Sequence, residues 1–528
     1  MTSLLGGGII LATVRYLANW RKNNRSFDVK MDGFIRQNKQ LSNSLISYVN
    51  RKSLDEELDN FIDNNYIACA ILGPAGSGKT RFAQNITHRN KLFSAYRYVY
   101  INDKNGLFFS TENFKNNYTL NGNRRYIFVF DYYYENVFAI NNLLDKATLS
   151  GRHKFVFIER DSGWENTRIL DRPEYSILME NHNMTQEMLA SVFYNQVLLL
   201  NKKASKNDLR KKALNYAKTI DEKIDPNFKR PIFAQLIAPI YIKKKDFTLD
   251  NIDDKSQLLS TYWYYKFDDT KIHSICSSND LEISDIFATQ LDALLRILLL
   301  TVSISKRNII IEKSDSLFFR IENETEISSK LNMIIQSILS ESFIRSLGTI
   351  GLKEIKQLFG IVLKDFIKAK SNSNEKSFIV VAELDLVAEW VLYDTLGKWK
   401  SDWLPNFTSM LSNAYRENYV AFIKRGAIDF PDLIELLADP SLGSKKHEAF
   451  VDIIIQLVDE VFIADKHEKY YAIIEILMKK ASELFADNEY DKICIEYLIK
   501  IKDTYMKFAQ DSINKKEISE LLQGLVVI

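Results

Sequence analysis

The run Ile67-Ala68-Cys69-Ala70-Ile71-Leu72 passes directly into Gly73-Pro74-Ala75-Gly76-Ser77-Gly78-Lys79-Thr80, and few strings restrict a fold as tightly. An unbroken apolar stretch of this length reads as a strand buried on both faces, the kind found in parallel sheets. The glycines let the backbone wrap with its N–H groups turned inward. Residues Arg81 to His88 continue as a helix whose positive dipole end faces the same hollow. Such a hollow takes an anion, and this spacing takes phosphates, with Lys79 reaching the β/γ-phosphates and the Thr80 hydroxyl holding Mg²⁺. Gly73, Pro74, Ala75, Gly76, Ser77, Gly78, Lys79 and Thr80, with Arg81 behind them, are therefore the candidate nucleotide-binding residues, and ATP or ADP with Mg²⁺ the expected ligands.

One hydroxyl cannot orient a hydrated metal between phosphates, so a carboxylate at the end of a neighbouring hydrophobic strand is expected. Asp131 closes the run Tyr126-Ile127-Phe128-Val129-Phe130 and fits that role. With Tyr96 to Ile101 and Lys154 to Ile158, these runs alternate with helical stretches and imply a parallel sheet with helices on both faces. Hydrolysis also needs a group that orients water. The residue after Asp131 is Tyr132, so Glu135 is the first candidate and Glu159 the second. Arg160, at the end of the third of these strands, is placed to read a γ-phosphate or to form a surface ion pair.

After about Thr185 the strand signal fades and long amphipathic stretches follow: Ile286 to Ser305, Leu352 to Ala369, Ala382 to Leu396, Phe450 to Phe462 and Tyr470 to Phe485. Asp292 and Arg296 lie four residues apart on one helix face, so the apolar stretch Ile297 to Ile304 reads as a buried core helix. The polar piece Lys370 to Ser377 reads as an exposed loop or linker. At 528 residues the chain exceeds what one core can hold.

With 70 Lys+Arg against 68 Asp+Glu, net charge argues neither for nor against a nucleic-acid partner. The local basic runs, Lys202 to Lys212 and Lys243 to Lys245, lack an aromatic stacking platform and read as solvated helix faces. Cys69, Cys276 and Cys494 are too scattered for a disulfide framework or zinc cluster, which fits a reducing cytoplasm. The six histidines show no ligand spacing either, leaving Mg²⁺ as the only metal to assign. Near the start, the apolar stretch Leu4 to Val14, then Trp20 and the cations Arg21, Lys22 and Arg25, is short for a spanning helix. Two readings stand: membrane contact through residues 4–25, or a short helix that packs on the body or between subunits.

Together, the Gly73–Thr80 loop, Phe128-Val129-Phe130-Asp131-Tyr132 with Glu135, and Phe155 to Trp164 resemble the bacterial STAND-class signalling ATPases, the NACHT and AP-ATPase-like group. Tyr48-Val49-Asn50-Arg51, followed by Leu54 and Leu58, is similar to the segment opening that family's nucleotide-binding module, which implies that Arg51 lies near the nucleotide. Lys229-Arg230-Pro231-Ile232-Phe233-Ala234 is similar to its proline segment, which implies that Pro231 approaches the nucleotide from a helical lid. Glu383 to Trp390 resembles a later segment of such proteins. The similarity spans about residues 45 to 245, and one extra aromatic separates Asp131 from Glu135.

The expected architecture is an α/β P-loop NTPase domain followed by a large all-α region. Its parts are an apolar and basic segment (1–44), an NTPase core (45–184), a helical lid (185–250), a winged-helix-like or helical domain (251–400) and a C-terminal helical domain (401–528). The resemblance implies a slow ATPase switch that exchanges ADP for ATP, senses a protein or nucleic-acid trigger, becomes a homo-oligomer and serves anti-phage defence. The rival from another class is an AAA-like motor or remodeller acting on protein or DNA. A small-molecule kinase fits poorly, because no second cluster of phosphate-binding arginines is present. A scaffold with structural nucleotide is the remaining alternative.

Overall fold

The computed structural model describes residues 49–86, 96–102, 125–131, 153–159, 174–202, 206–244, 246–267, 285–313, 317–340, 343, 367–371, 377–382, 385–398 and 403–437. The chain divides into two compact units, Met1–Leu258 and Leu259–Ile528.

In the first unit, helix α1 (Lys52–Asp63) leads into β1 (Ala68–Leu72), and α2 (Lys79–Ile86) follows the glycine loop. Then come β2 (Arg97–Asn102), β3 (Tyr126–Asp131), β4 (Lys154–Glu159) and β5 (Glu174–Leu178). All five strands run parallel in the order β2-β3-β4-β1-β5. Alternation splits their side chains between two faces. One face carries Cys69, Ile71, Ile127, Val129, Val156 and Ile158, closed by Leu54, Leu58 and Phe61 of α1 and Phe82 and Ile86 of α2. The other carries an aromatic ladder, with Phe128 stacked on Phe155 at 5.5 Å and Phe130 on Phe157 at 5.6 Å between ring centroids. These four rings are buried too, so both faces of the sheet are covered, as its uninterrupted apolar runs require.

Strand β5 escaped the sequence reading. Its five residues, Glu-Tyr-Ser-Ile-Leu, mix polar with apolar side chains because it lies at the sheet edge beside β1.

Lys154 opens β4 yet turns its ammonium onto the end of α1, donating to the carbonyls of Phe61 at 3.0 Å, Asn64 at 2.6 Å and Tyr66 at 2.8 Å. A cation satisfies carbonyls that a helix C-terminus leaves unpaired. Burial lowers the Lys154 pKa, with Asp63 pulling the other way. Lys154→Met is expected to cost about 1–3 kcal/mol, the range for stranding buried carbonyls, read as a lower urea midpoint with an unchanged slope.

After β5 the chain makes a 3₁₀ turn, Met179–His182, and enters a group of three packed helices. Thr185 caps α3 (Gln186–Leu200) by accepting from Met188 N. Helix α4 (Lys206–Thr219) runs into a π-helical turn (Ile220–Ile224), and α5 (Pro231–Lys243) begins with proline at its first position. Phe193 of α3, Tyr216 of α4 and Tyr241 of α5 meet edge to face at 5.0 to 6.2 Å, which ties the three helices together.

Helix α6 (Lys255–Phe267) spans the division between the units. The second unit continues with α7 (Asp285–Ser305), β6 (Ile309–Lys313), β7 (Leu317–Ile321), α8 (Thr325–Ile338), β8 (Ile367–Ser371), β9 (Ser377–Ala382), α9 (Asp385–Lys398), α10 (Trp403–Ala414), α11 (Arg416–Asp429) and α12 (Asp432–Leu437). This is the large helical region expected. It also holds an unanticipated four-stranded antiparallel sheet, ordered β7-β6-β9-β8.

Two expectations are corrected here. The end of the stretch read as helical, Ile367 to Ala369, lies in β8, because Ile367-Lys368-Ala369-Lys370 alternates with a period of two. Ala382, read as the start of another helical stretch, instead closes β9 and pairs with Ile367. The polar piece from Lys370 to Ser377, read as a loop or linker, connects two paired strands, with Lys370 opposite Ile379 and Ser371 opposite Phe378. Residues 352–366 of the expected helical stretches, Phe450 to Phe462, Tyr470 to Phe485 and the apolar start all lie outside the described residues.

Helix α7 is long and apolar enough to cross a membrane by length and composition, but 83% of its apolar window is buried in the protein, as expected of a core helix. Asp292 and Arg296 pair on its face at 3.0 Å, and Arg296 also pairs with Asp394 of α9 at 2.9 Å. Trp263 and Trp390 flank the guanidinium, each ring centroid 5.5 Å away, and Trp263 Nε1 donates to Asp292 Oδ1 at 2.7 Å. Burial opposes the Arg296 charge, but the two carboxylates outweigh it and raise the pKa above its ordinary value.

Candidate functional site

Strand β1 delivers the chain to the carboxyl edge of the sheet, where the glycine loop turns it back into α2. At this edge open parallel sheets bind ligands. Gly76 and Gly78 adopt φ of 75° and 95°, a region that side-chain-bearing residues rarely enter. Space forbids a side chain as well. A Cβ on Gly76 would lie 2.4 Å from Ile232 Cγ2, and one on Gly73 would lie 2.8 Å from Met179 Cβ. The loop is therefore gripped on one side by α5 and on another by the turn that follows β5.

A strand, a glycine loop at its carboxyl end and a helix opening at Lys79, set inside a parallel sheet ordered 2-3-4-1-5, decide the architecture. The first unit has the P-loop NTPase fold.

No protein-family model matches this P-loop chain, and no curated protein matches it. Among solved structures it shows similarity to Drosophila ORC bound to DNA, at 12% identity and a TM-score of 0.28, covering 71% of this chain and 100% of that one. It is also similar to Cdc6p from Pyrobaculum aerophilum, at 14% identity and a TM-score of 0.30, covering 71% of this chain and 98% of that one. At such scores the likeness adds nothing to what the sheet order and the loop already establish.

The sequence candidates fall as follows. Asp131 ends β3 at the same sheet edge as the loop, although β3 is not adjacent to β1: β4 runs between them, with Leu72 level with Glu159 and Asp131 level with Ile158. Both carboxylates thus stand at the edge, one strand and two strands away from β1. Asp131 is buried, and its Oδ2 accepts from the Tyr100 hydroxyl at 2.8 Å. Lys79 Nζ donates to Gly73 O at 2.6 Å and Pro74 O at 2.9 Å, so the ammonium lies across the first turn of its own loop. Arg81 is largely enclosed; burial lowers its pKa and the nearby Tyr100 acts in the opposite direction.

Arg51, just before α1, reaches the loop from below: its Nη2 donates to Ser77 O at 2.6 Å and its Nη1 to His182 O at 3.4 Å. A Cβ on Gly78 would meet Arg51 Nη2 at 3.3 Å and Pro231 Cγ at 3.4 Å, so residues 51, 78 and 231 converge from three segments. Glu135 and Arg160 lie outside the described residues. Among the described residues no cluster of His, Cys, Asp and Glu could itself hold a metal ion.

Two participants were missed by sequence reasoning. Tyr100 sits in a strand of alternating tyrosines that looked merely β-forming. Arg230 was quoted within the proline segment without a role. It is fully buried, and its Nη1 donates to Ala75 O at 3.2 Å. The signal that could have found it is Asp225 five residues earlier, an acid at the spacing of a closed turn.

The residues fit a bound triphosphate. The Ser77 hydroxyl is buried inside the loop with no hydrogen-bond partner. The first turn of α2 offers N–H groups that no helix can satisfy internally. The Thr80 hydroxyl and Asp131 carboxylate supply oxygen donors suited to Mg²⁺.

Proposed function

We propose that the chain is an ATP-driven conformational switch. Backbone N–H groups of residues 76–80 and the Lys79 ammonium would hold the phosphates, and Thr80 and Asp131 would hold Mg²⁺, which neutralises charge on the β- and γ-phosphate oxygens. The observation that carries the switch is the meshing of loop and lid. Gly76 faces Ile232 with no room for a methyl group, and Pro231 abuts Gly78. A phosphate that changes the loop must then be felt at the start of α5.

The energies suffice. Moving a two-state equilibrium from 1:99 to 99:1 takes about 5.5 kcal/mol of differential binding. Charge-assisted hydrogen bonds contribute about 1.5–3 kcal/mol each, so about two to four contacts made in only one state are enough. We further propose slow exchange of ADP for ATP, assembly into a homo-oligomer on sensing a trigger, and a part in anti-phage defence, the last supported by the STAND resemblance alone.

The test uses nucleotide-stripped full-length protein in calorimetry with Mg-ATP and Mg-ADP. Both should bind, and Lys79→Ala should weaken them about 10- to 150-fold, the equivalent of one or more charge-assisted bonds. Turnover should stay well below the roughly 1 s⁻¹ at the low end for kinases, and light scattering should show a larger species with ATP. Rapid turnover stimulated by DNA or a protein polymer would instead establish a remodeller, and absence of heat with either nucleotide would end the proposal.

A further inference from the structure

Two buried guanidinium groups grip the glycine loop by its carbonyls. Arg51 Nη2 donates to Ser77 O at 2.6 Å, and Arg230 Nη1 to Ala75 O at 3.2 Å. A trans peptide unit is planar, with its C=O and N–H on opposite sides. Drawing the Ala75 carbonyl outward therefore turns the Gly76 N–H to the other side, and drawing out the Ser77 carbonyl does the same to the Gly78 N–H. The left-handed φ values at those two glycines complete the alternation that makes a concave anion nest.

Neither arginine is loose. Arg230 Nε and Nη2 donate to Asp225 Oδ2 at 2.9 Å and Oδ1 at 2.8 Å, a two-pronged geometry that fixes the guanidinium plane. The Arg230 backbone N–H donates to Asp225 Oδ2 as well, and Phe228 and Phe233 lie against the guanidinium at 5.3 and 5.1 Å. Arg51 is fixed by its second bond, to His182 O.

We propose that Arg51 and Arg230 are positioning residues that orient the Gly76 and Gly78 N–H groups toward the phosphates without touching phosphate themselves. This role rests on the nucleotide binding proposed above. A nest made of these N–H groups would hold the phosphates shared by ADP and ATP, so setting it affects both ligands alike, whereas an arginine touching the γ-phosphate would matter to ATP alone.

Arg51→Lys and Arg230→Lys in the full chain keep the charge but lose the planar fork. Calorimetry should show ADP and ATP affinities falling together, about tenfold for one lost charge-assisted bond. Hydrogen–deuterium exchange without nucleotide should quicken at amides 76 to 79, while β1, β3 and β4 stay protected. Loop exchange unchanged from wild type would overturn the proposal, as would a loss confined to ATP or exchange that quickens throughout the sheet. Should Arg230→Lys fail to fold by circular dichroism, Arg51→Lys carries the same readouts. If wild type binds neither nucleotide, the function proposed above falls, and loop exchange alone still decides whether the arginines set the loop.

Discussion

Arg296→Leu is expected to lower the stability of the second unit by about 3–5 kcal/mol, the usual cost of deleting one partner of a buried ion pair. The substitution strands Asp292 and Asp394 in a core where the arginine is fully buried. It also removes the cation between Trp263 and Trp390. The penalty should depend on pH. Burial already raises the Asp292 carboxyl, against the pull of Arg296 and of the Trp263 hydrogen bond, and deleting the arginine raises it further. A carboxyl whose folded pKa lies above its unfolded value of about 3.9 destabilises the fold as pH rises through the folded pKa. The variant should therefore regain stability as pH falls toward 4, which urea melts followed by tryptophan fluorescence would show. Changing Asp292 and Asp394 to asparagine in the same variant should recover part of the loss at neutral pH. A deficit that is independent of pH and of the asparagines would show that packing, not charge, dominates here.

Gly76→Val is expected to disable the loop. Holding a side-chain-bearing residue in the left-handed region costs about 1–2 kcal/mol, and forcing atoms into a packed contact costs about 1–3 kcal/mol more. The added Cβ would fall 2.4 Å from Ile232 Cγ2 and 2.8 Å from its Cβ, so relief requires α5 to withdraw or the loop to change shape. Either outcome should abolish measurable nucleotide binding in calorimetry, with a lower melting temperature. Adding Ile232→Ala should recover only part of the packing penalty, since the Cβ at 2.8 Å remains, and leave the backbone part. Full recovery would show that backbone strain is negligible, and no recovery that the lid contact does not matter.

How far the chain could be read from its residues depended on what fixes each element. The strands β1, β3 and β4 were legible within a residue at each end, because strands buried on both faces read as short, β-branched or aromatic apolar runs bounded by polar and turn residues. Strand β5 was not, since an edge strand bears polar residues, and β8 was hidden because its alternating lysines were taken into a longer helical window. The glycine loop was legible in full, as its spacing is dictated by the anion it fits. That β4 separates β1 from Asp131 was not, because strand order is a long-range property that no local pattern records. Arg51 and Pro231 were found only by resemblance, and the structure brings both to Gly78. The Arg230 bond to Ala75 joins residues 155 positions apart, beyond the reach of any spacing argument.

The stacked phenylalanines of β3 and β4 have a mechanical consequence. Rings interleaved across neighbouring strands resist sliding of β3 past β4, so the register that sets Asp131 level with Ile158 is held by the aromatic face as well as by the backbone ladder.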